Sequence, residues 1–251
     1  MEGFVWVEKC RFLFTLILFL TGGTGAHSES TFGQPPAPPG SFHSEPVEEE
    51  EFDHSATSHR KFQDIDHWVR IFEDPKRQEW QMPEKVVKAL GLGDGSRVAD
   101  LGAGTGYFTV HLARAVAPSG FVLAVDVELE MVDYLAQRVQ KDALGNVTPV
   151  FALADQPMLP PGRLDLIFVC DTFHHIDDRV ESLKRLRSAL APGGRIAVVD
   201  FLMKDIPVGP PPDHKLPRVH VISEFLEAGY QLAEEKTFLP YQYFLLFRIP
   251  R

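Results

Sequence analysis

The stretch Val98-Ala99-Asp100-Leu101-Gly102-Ala103-Gly104-Thr105-Gly106-Tyr107-Phe108 constrains the fold more than any other part of this chain. An apolar run enters a turn with glycine at every second position, and the turn opens a helical pattern. Glycine takes backbone angles and close approaches that a Cβ forbids. A ligand can therefore lie against bare main chain, beside the unsatisfied amide groups of a helix start. Asp100 stands just before the turn, where a carboxylate can reach a cationic amino group. The dinucleotide fingerprint is spaced G-x-G-x-x-G; here the third glycine comes one residue early.

From this turn onward, strand and helix patterns alternate. Strands are predicted at Arg97–Leu101, Phe121–Val125 (ending on Asp126), Val147–Leu153, Leu164–Cys170 and Arg195–Phe201. The fourth is a continuous apolar run after Asp165, as expected for a strand covered on both faces of a parallel sheet. Helical stripes run through Phe108, Leu112 and Val116; through Met131, Tyr134, Leu135 and Val139; through Leu183, Leu186 and Leu190, stopping at Pro192-Gly193-Gly194; and through Ile222, Phe225 and Leu226. Arg138 interrupts the second stripe, and its stem can follow the apolar edge while its charge reaches water. Repeated βαβ units with short loops give a doubly wound α/β fold. Two closing strands, near Gln231–Phe238 and Tyr241–Phe247, have too little chain between them for a crossover and must be antiparallel.

Upstream, residues 1–26 resemble a secretory signal: Lys9 and Arg11, an apolar run from Phe12 to Leu20, then Thr24-Gly25-Ala26. The run is shorter than the roughly 20 residues of a membrane span. Export to the periplasm, secretory pathway or envelope is the expectation, with an uncleaved anchor or a cytoplasmic protein as alternatives. An uncleaved segment would be the only membrane contact expected. Residues 27–60 are rich in Pro, Ser and Glu and read as a disordered linker. They also carry much of the acidity behind the net charge of −10, a balance that disfavours a nucleic-acid partner. Residues 61–95 read as N-terminal helices forming a lid: Ile65, Trp68, Val69 and Phe72 at helical spacing, then Arg77, Trp80 and Gln81, then a helix opened by Pro83. Trp80 is placed either to cover a pocket or to pack. Residues 96–251 form the main domain. The two cysteines, Cys10 and Cys170, support neither a disulfide framework nor a thiolate metal site.

Ligands of such sheets bind at the carboxyl ends of the strands. Those ends carry Asp100 with the glycine turn, Asp126, Asp155, Asp171-Thr172-Phe173-His174-His175, and Asp200. Asp126 can accept hydrogen bonds from both hydroxyls of a ribose, a device that nicotinamide enzymes share. Asp155 suits an adenine amino group. His174 or His175 can act as a base, since imidazole titrates near neutrality, or can cap a helix or fill the core. Asp171 and His214 are further pocket candidates. No metal site is expected, because the three histidines share no ligand spacing on one element.

Five features fall in order: the glycine turn, an acid after the second strand, an acid after the third, an acidic-aromatic turn after the fourth, and Ala191-Pro192-Gly193-Gly194 before the fifth. Together they resemble the class I S-adenosylmethionine-dependent methyltransferases over about Pro83 to Arg251, and Phe-His-His-Ile looks most like the small-molecule branch that includes ubiquinone-type enzymes. The resemblance implies a seven-stranded, mostly parallel sheet whose last strand is antiparallel. It implies S-adenosylmethionine as cofactor, bound by Asp100, Gly102, Ala103, Gly104, Gly106, Asp126 and Asp155, and a small-molecule acceptor met by His174, His175 and Asp171. The turn Asp171-Thr172-Phe173-His174 departs from the Pro-Pro turn of enzymes that methylate amino groups of bases or glutamine. A nicotinamide oxidoreductase and a non-catalytic binding protein on the same fold are the alternatives.

Overall fold

The computed structural model describes residues 64–250, so the signal-like segment, the linker and Cys10 lie outside the described residues. Seven strands form one sheet: β1 (Arg97–Leu101), β2 (Phe121–Asp126), β3 (Val147–Phe151), β4 (Leu164–Cys170), β5 (Leu190–Phe201), β6 (Gln231–Lys236) and β7 (Gln242–Arg248). Their order is β3-β2-β1-β4-β5-β7-β6. β1 to β5 pair in parallel, and β7 runs antiparallel to both neighbours. The helices are α1 (Ile65–Phe72), α2 (Arg77–Gln81), α3 (Pro83–Ala89), α4 (Tyr107–Val116), α5 (Leu129–Lys141), α6 (Arg179–Arg187) and α7 (Arg218–Glu227).

The period-2 alternation of strand side chains divides the core in two. On one face Val98, Leu166, Phe168, Val199 and Phe244 pack with Val86 of α3, with Leu90 just after it and with Phe108 and Leu112 of α4. On the other, Ala99, Ile167, Val169, Val198 and Leu245 pack with Leu183 and Leu186 of α6 and with Val221 and Phe225 of α7. Helices on both faces make the sheet doubly wound and leave the carboxyl ends of β1, β2, β4 and β5 facing one cleft.

Three local expectations change. α6 ends at Arg187, and Leu190 already belongs to β5; Pro192-Gly193-Gly194 is a bulge within that strand, between the pairings Leu164 with Leu190 and Leu166 with Arg195. A Cβ at Gly194 would stand 2.6 Å from the Leu164 carbonyl, so the bulge depends on glycine there. The buried stripe of α7 is Val221 and Phe225, while Leu226 is exposed. β3 stops at Phe151, and Leu153 instead bridges to Gln156. α1 forms, capped by the Asp64 carboxylate on the His67 amide (3.0 Å), but it has no buried residue: its apolar face lies over the cleft rather than in the core.

Candidate active site

The glycine turn takes the conformation its residues require. Gly102, Gly104 and Gly106 all have positive φ (72°, 55° and 86°). A Cβ at Gly102 would collide with the Thr172 side chain, and one at Gly106 would stand 2.6 Å from Leu135. At Gly104 the nearest atoms are those of the Phe72 ring, 3.7 Å away, so this glycine lies bare beneath α1.

Asp100, Gly102, Ala103, Gly104, Asp126, Asp155, Asp171, His174, His175 and His214 line a single cavity of about 730 Å³. This volume falls within the range of small-molecule sites. Gly106 helps shape the cavity as the residue preceding α4 but does not line it. Asp126 receives the Gly104 amide at Oδ2 (2.7 Å) and the Glu128 amide at Oδ1 (3.0 Å). Each oxygen keeps a lone pair, enough for a pair of neighbouring hydroxyls. Asp100 is buried and accepts the Thr109 hydroxyl at 2.6 Å. Burial, with the charge of Asp126 adding to it, raises its carboxyl to about 7 against the pull of Thr109 and Arg77. Asp155 sits exposed at the rim, beyond β3.

Carboxylates outnumber guanidiniums on the lining: Asp100, Asp126, Glu128, Asp155, Asp171, Asp177 and Asp178 face Arg77 and Arg185. The cleft therefore favours cations. One buried polar atom on the lining also lacks a hydrogen-bond partner. Among the described residues the buried Tyr107 hydroxyl makes no hydrogen bond, and burial raises it to about 12. Tyr107 lines the cavity with Arg77 stacked 4.2 Å from its ring centre. A bare glycine, spare carboxylate lone pairs and an unpartnered hydroxyl fit a cationic, hydroxyl-bearing cofactor.

Two latches hold α1 and α2 over the cleft. Glu73 Oε1 accepts the Thr105 hydroxyl (2.6 Å) and pairs with Arg138 (2.5 Å), which also donates to the Thr105 carbonyl (2.9 Å). This corrects the expectation for Arg138: its charge is spent on Glu73, not sent to water. In the second latch Asp171 accepts Arg77 (3.1 Å), Gln81 (2.8 Å) and Gln242 of β7. Asp171 lines the cavity, and its oxygens also tie α2 and β7 to the end of β4. Trp80 both packs and covers, with its ring 6.0 Å from Phe201 while lining the cavity.

His174 is buried against Asp200, its Nδ1 2.9 Å from both carboxylate oxygens. Burial pulls its imidazole down, and Asp200 more than offsets this, so the net direction is up. His175 lies against it, the ring centres 4.1 Å apart and the planes tilted by 43°. Among the described residues no group of three or more His, Cys, Asp or Glu side chains is placed to hold a metal ion.

A glycine cradle and strand-end acids in one cavity, on a sheet whose seventh strand alone is reversed, define a class I methyltransferase cleft. Residues 98–194 match a methyltransferase-domain family model. A SAM-dependent methyltransferase from Aquifex aeolicus is 30% identical, with a TM-score of 0.71, over 73% of this chain and 98% of that one. The ubiquinone/menaquinone biosynthesis C-methyltransferase UbiE of Pasteurella multocida is 31% identical over 117 residues, which are 46% of this chain and 44% of that protein. The chain therefore spans less than half the length of the curated relatives it matches. Magnesium protoporphyrin IX methyltransferase of Synechocystis, solved with bound SAM, shares the fold at 20% identity and a TM-score of 0.58. The chain belongs to the class I S-adenosylmethionine-dependent methyltransferases.

Proposed function

We propose that the cleft binds S-adenosylmethionine and directs its methyl group to a small-molecule acceptor. The carrying observation is the acid-rich lining. A ligand with a sulfonium and an ammonium group suits it, whereas the pyrophosphate of a nicotinamide dinucleotide would add negative charge to a lining already rich in carboxylates. When bound, the cofactor supplies a methyl group already activated on sulfur. The chain supplies position: Gly102 to Gly104 offer bare main chain, Asp126 offers acceptors for ribose hydroxyls, Asp155 stands ready for an adenine amino group, and α1 and α2 close over the cleft to exclude water.

The turn Asp171 to His174, which lacks the Pro-Pro sequence, supports a small-molecule acceptor over a nucleic acid, as do relatives named for quinone and magnesium protoporphyrin methylation. Calorimetry with S-adenosylmethionine, S-adenosylhomocysteine and NAD tests the reading; tighter binding of NAD would reject it. The signal-like pattern of residues 1–26 supports export, and protease protection in fractionated cells tests that.

A further inference from the structure

The two innermost acids of the cleft carry no counter-charge of their own. Asp100 and Asp126 are both buried, and among the described residues neither is paired with a lysine, arginine or histidine. Arg77, which faces Asp100 from α2, is committed to Asp171 and the Phe72 carbonyl. A buried carboxylate without a cation must be held by several hydrogen-bond donors or shed its charge by taking a proton.

The two acids differ in this respect. Asp126 receives a main-chain amide on each oxygen, from Gly104 and from Glu128, and these donors offset part of its burial. Asp100 receives the Thr109 hydroxyl at Oδ2, and its other oxygen has no donor among the described residues. Around it stand Asp126 from the end of β2, which makes a second negative charge costlier, Arg77, which makes it less so, the Cys170 thiol from β4 and Thr109 from α4. The balance favours the proton, since burial lifts the Asp100 carboxyl to about 7. Asp100 also lines the cavity together with Gly102 and Gly104, so a ligand in the cavity reaches it.

We propose that Asp100 is protonated in the empty cleft and gives up that proton when an ammonium group takes its place, so that the cofactor is captured in exchange for a proton. This rests on the methyltransferase reading and adds a regulation of the same site. In the exchange the Asp100 O–H bond breaks, its electron pair stays on the carboxylate oxygen, and the proton passes to water. The ammonium group enters already protonated and keeps its protons. Protonated Asp100 relieves the empty cleft of repulsion between two buried acids, and ionised Asp100 supplies the counter-charge once the site fills. Because the proton must leave, cofactor affinity rises with pH while Asp100 is protonated and levels off above about 7.

The test is calorimetry of S-adenosylhomocysteine with the full chain, run at each pH in two buffers of different ionisation enthalpy, so that the heat counts the protons released. About 0.9 proton per ligand is expected at about pH 6 and about 0.1 at about pH 8. The Kd should fall about tenfold between about pH 5 and 6, and by about twofold or less between about pH 7 and 8. 5′-Methylthioadenosine, which keeps the adenosine and the sulfur but lacks the amino-acid end, should release almost none. Asp100→Asn should bind S-adenosylhomocysteine without the release, and Asp126→Asn should retain most of it. No release in the wild type at about pH 6, equal release with 5′-methylthioadenosine, or release that persists in a folded Asp100→Asn would overturn the proposal. If Asp100→Asn does not fold, Thr109→Val decides. Loss of the one donor to the ionised form should move the midpoint of release upward by about one pH unit or more, and an unmoved midpoint would overturn the assignment. Failure to bind S-adenosylhomocysteine at all would strike the methyltransferase reading instead.

Discussion

Replacing Asp100 with asparagine should stabilise the empty protein and weaken the cofactor complex, and the two effects should separate with pH. Asp100 is 3% exposed, and its carboxyl is raised from 3.8 to about 7, chiefly by burial. A raised native pKa means that the folded state holds its proton more tightly than the unfolded chain. Stability is then complete below about pH 4 and is lost as pH rises toward about 7. About three pKa units at 1.36 kcal/mol each make the neutral-pH cost about 4 kcal/mol. Asparagine does not ionise, and its carbonyl can keep the Thr109 hydroxyl bond. The advantage of Asp100→Asn over wild type should therefore grow by about 2–3 kcal/mol between about pH 5 and pH 8, or roughly 5–10 °C in Tm for a domain of this size. Urea unfolding of both proteins across that range, with unchanged m-values, measures it. At about pH 8 the variant should bind S-adenosylmethionine about tenfold to a hundredfold more weakly, having lost a charge-assisted contact. Parallel stability curves for the two proteins across pH would refute the burial argument. Equal affinity at high pH would remove Asp100 from the site.

Asp126→Asn should weaken S-adenosylmethionine from a few-fold to about a hundredfold, since it alters the group that receives the Gly104 and Glu128 amides; calorimetry reads the change. Gly104→Arg should abolish cofactor binding in a folded protein, because this position opens toward the cavity and the Phe72 ring. Gly102→Ala should instead cost stability, about 1–3 kcal/mol or more in a melt, because its Cβ meets Thr172 at a φ of 72°. Glu73→Gln should release the first latch, seen as faster hydrogen exchange in α1 with the exchange of β4 unchanged.

How much of this was legible in the sequence follows from the range of the interactions involved. β4 could be bounded to the residue because two-sided burial writes an apolar run after Asp165, β1 because it runs from Arg97 into the glycine turn, and the positive-φ turn could be read because only glycine tolerates it three times in five residues. The acids at strand ends were equally visible, since a parallel sheet brings all its carboxyl ends to one edge, and the structure gathers Asp100, Asp126 and Asp155 around one cavity. What stayed hidden depends on partners far apart in the chain. Asp171 looked like a free acid until α2 and β7 were seen to occupy both of its oxygens, and Gln81 and Gln242 carried no mark of that role. Glu73 left only an indirect trace: Arg138 stood inside an apolar stripe, and a half-buried guanidinium needs a counter-charge. The apolar face of α1 was legible from its spacing, whereas the contacts that hold it over the cleft were not. Ile71 remains 46% exposed and Phe72 lies over Gly104. Spacing along a helix reports which residues share a face, and only the packed fold reports that this face roofs a glycine cradle.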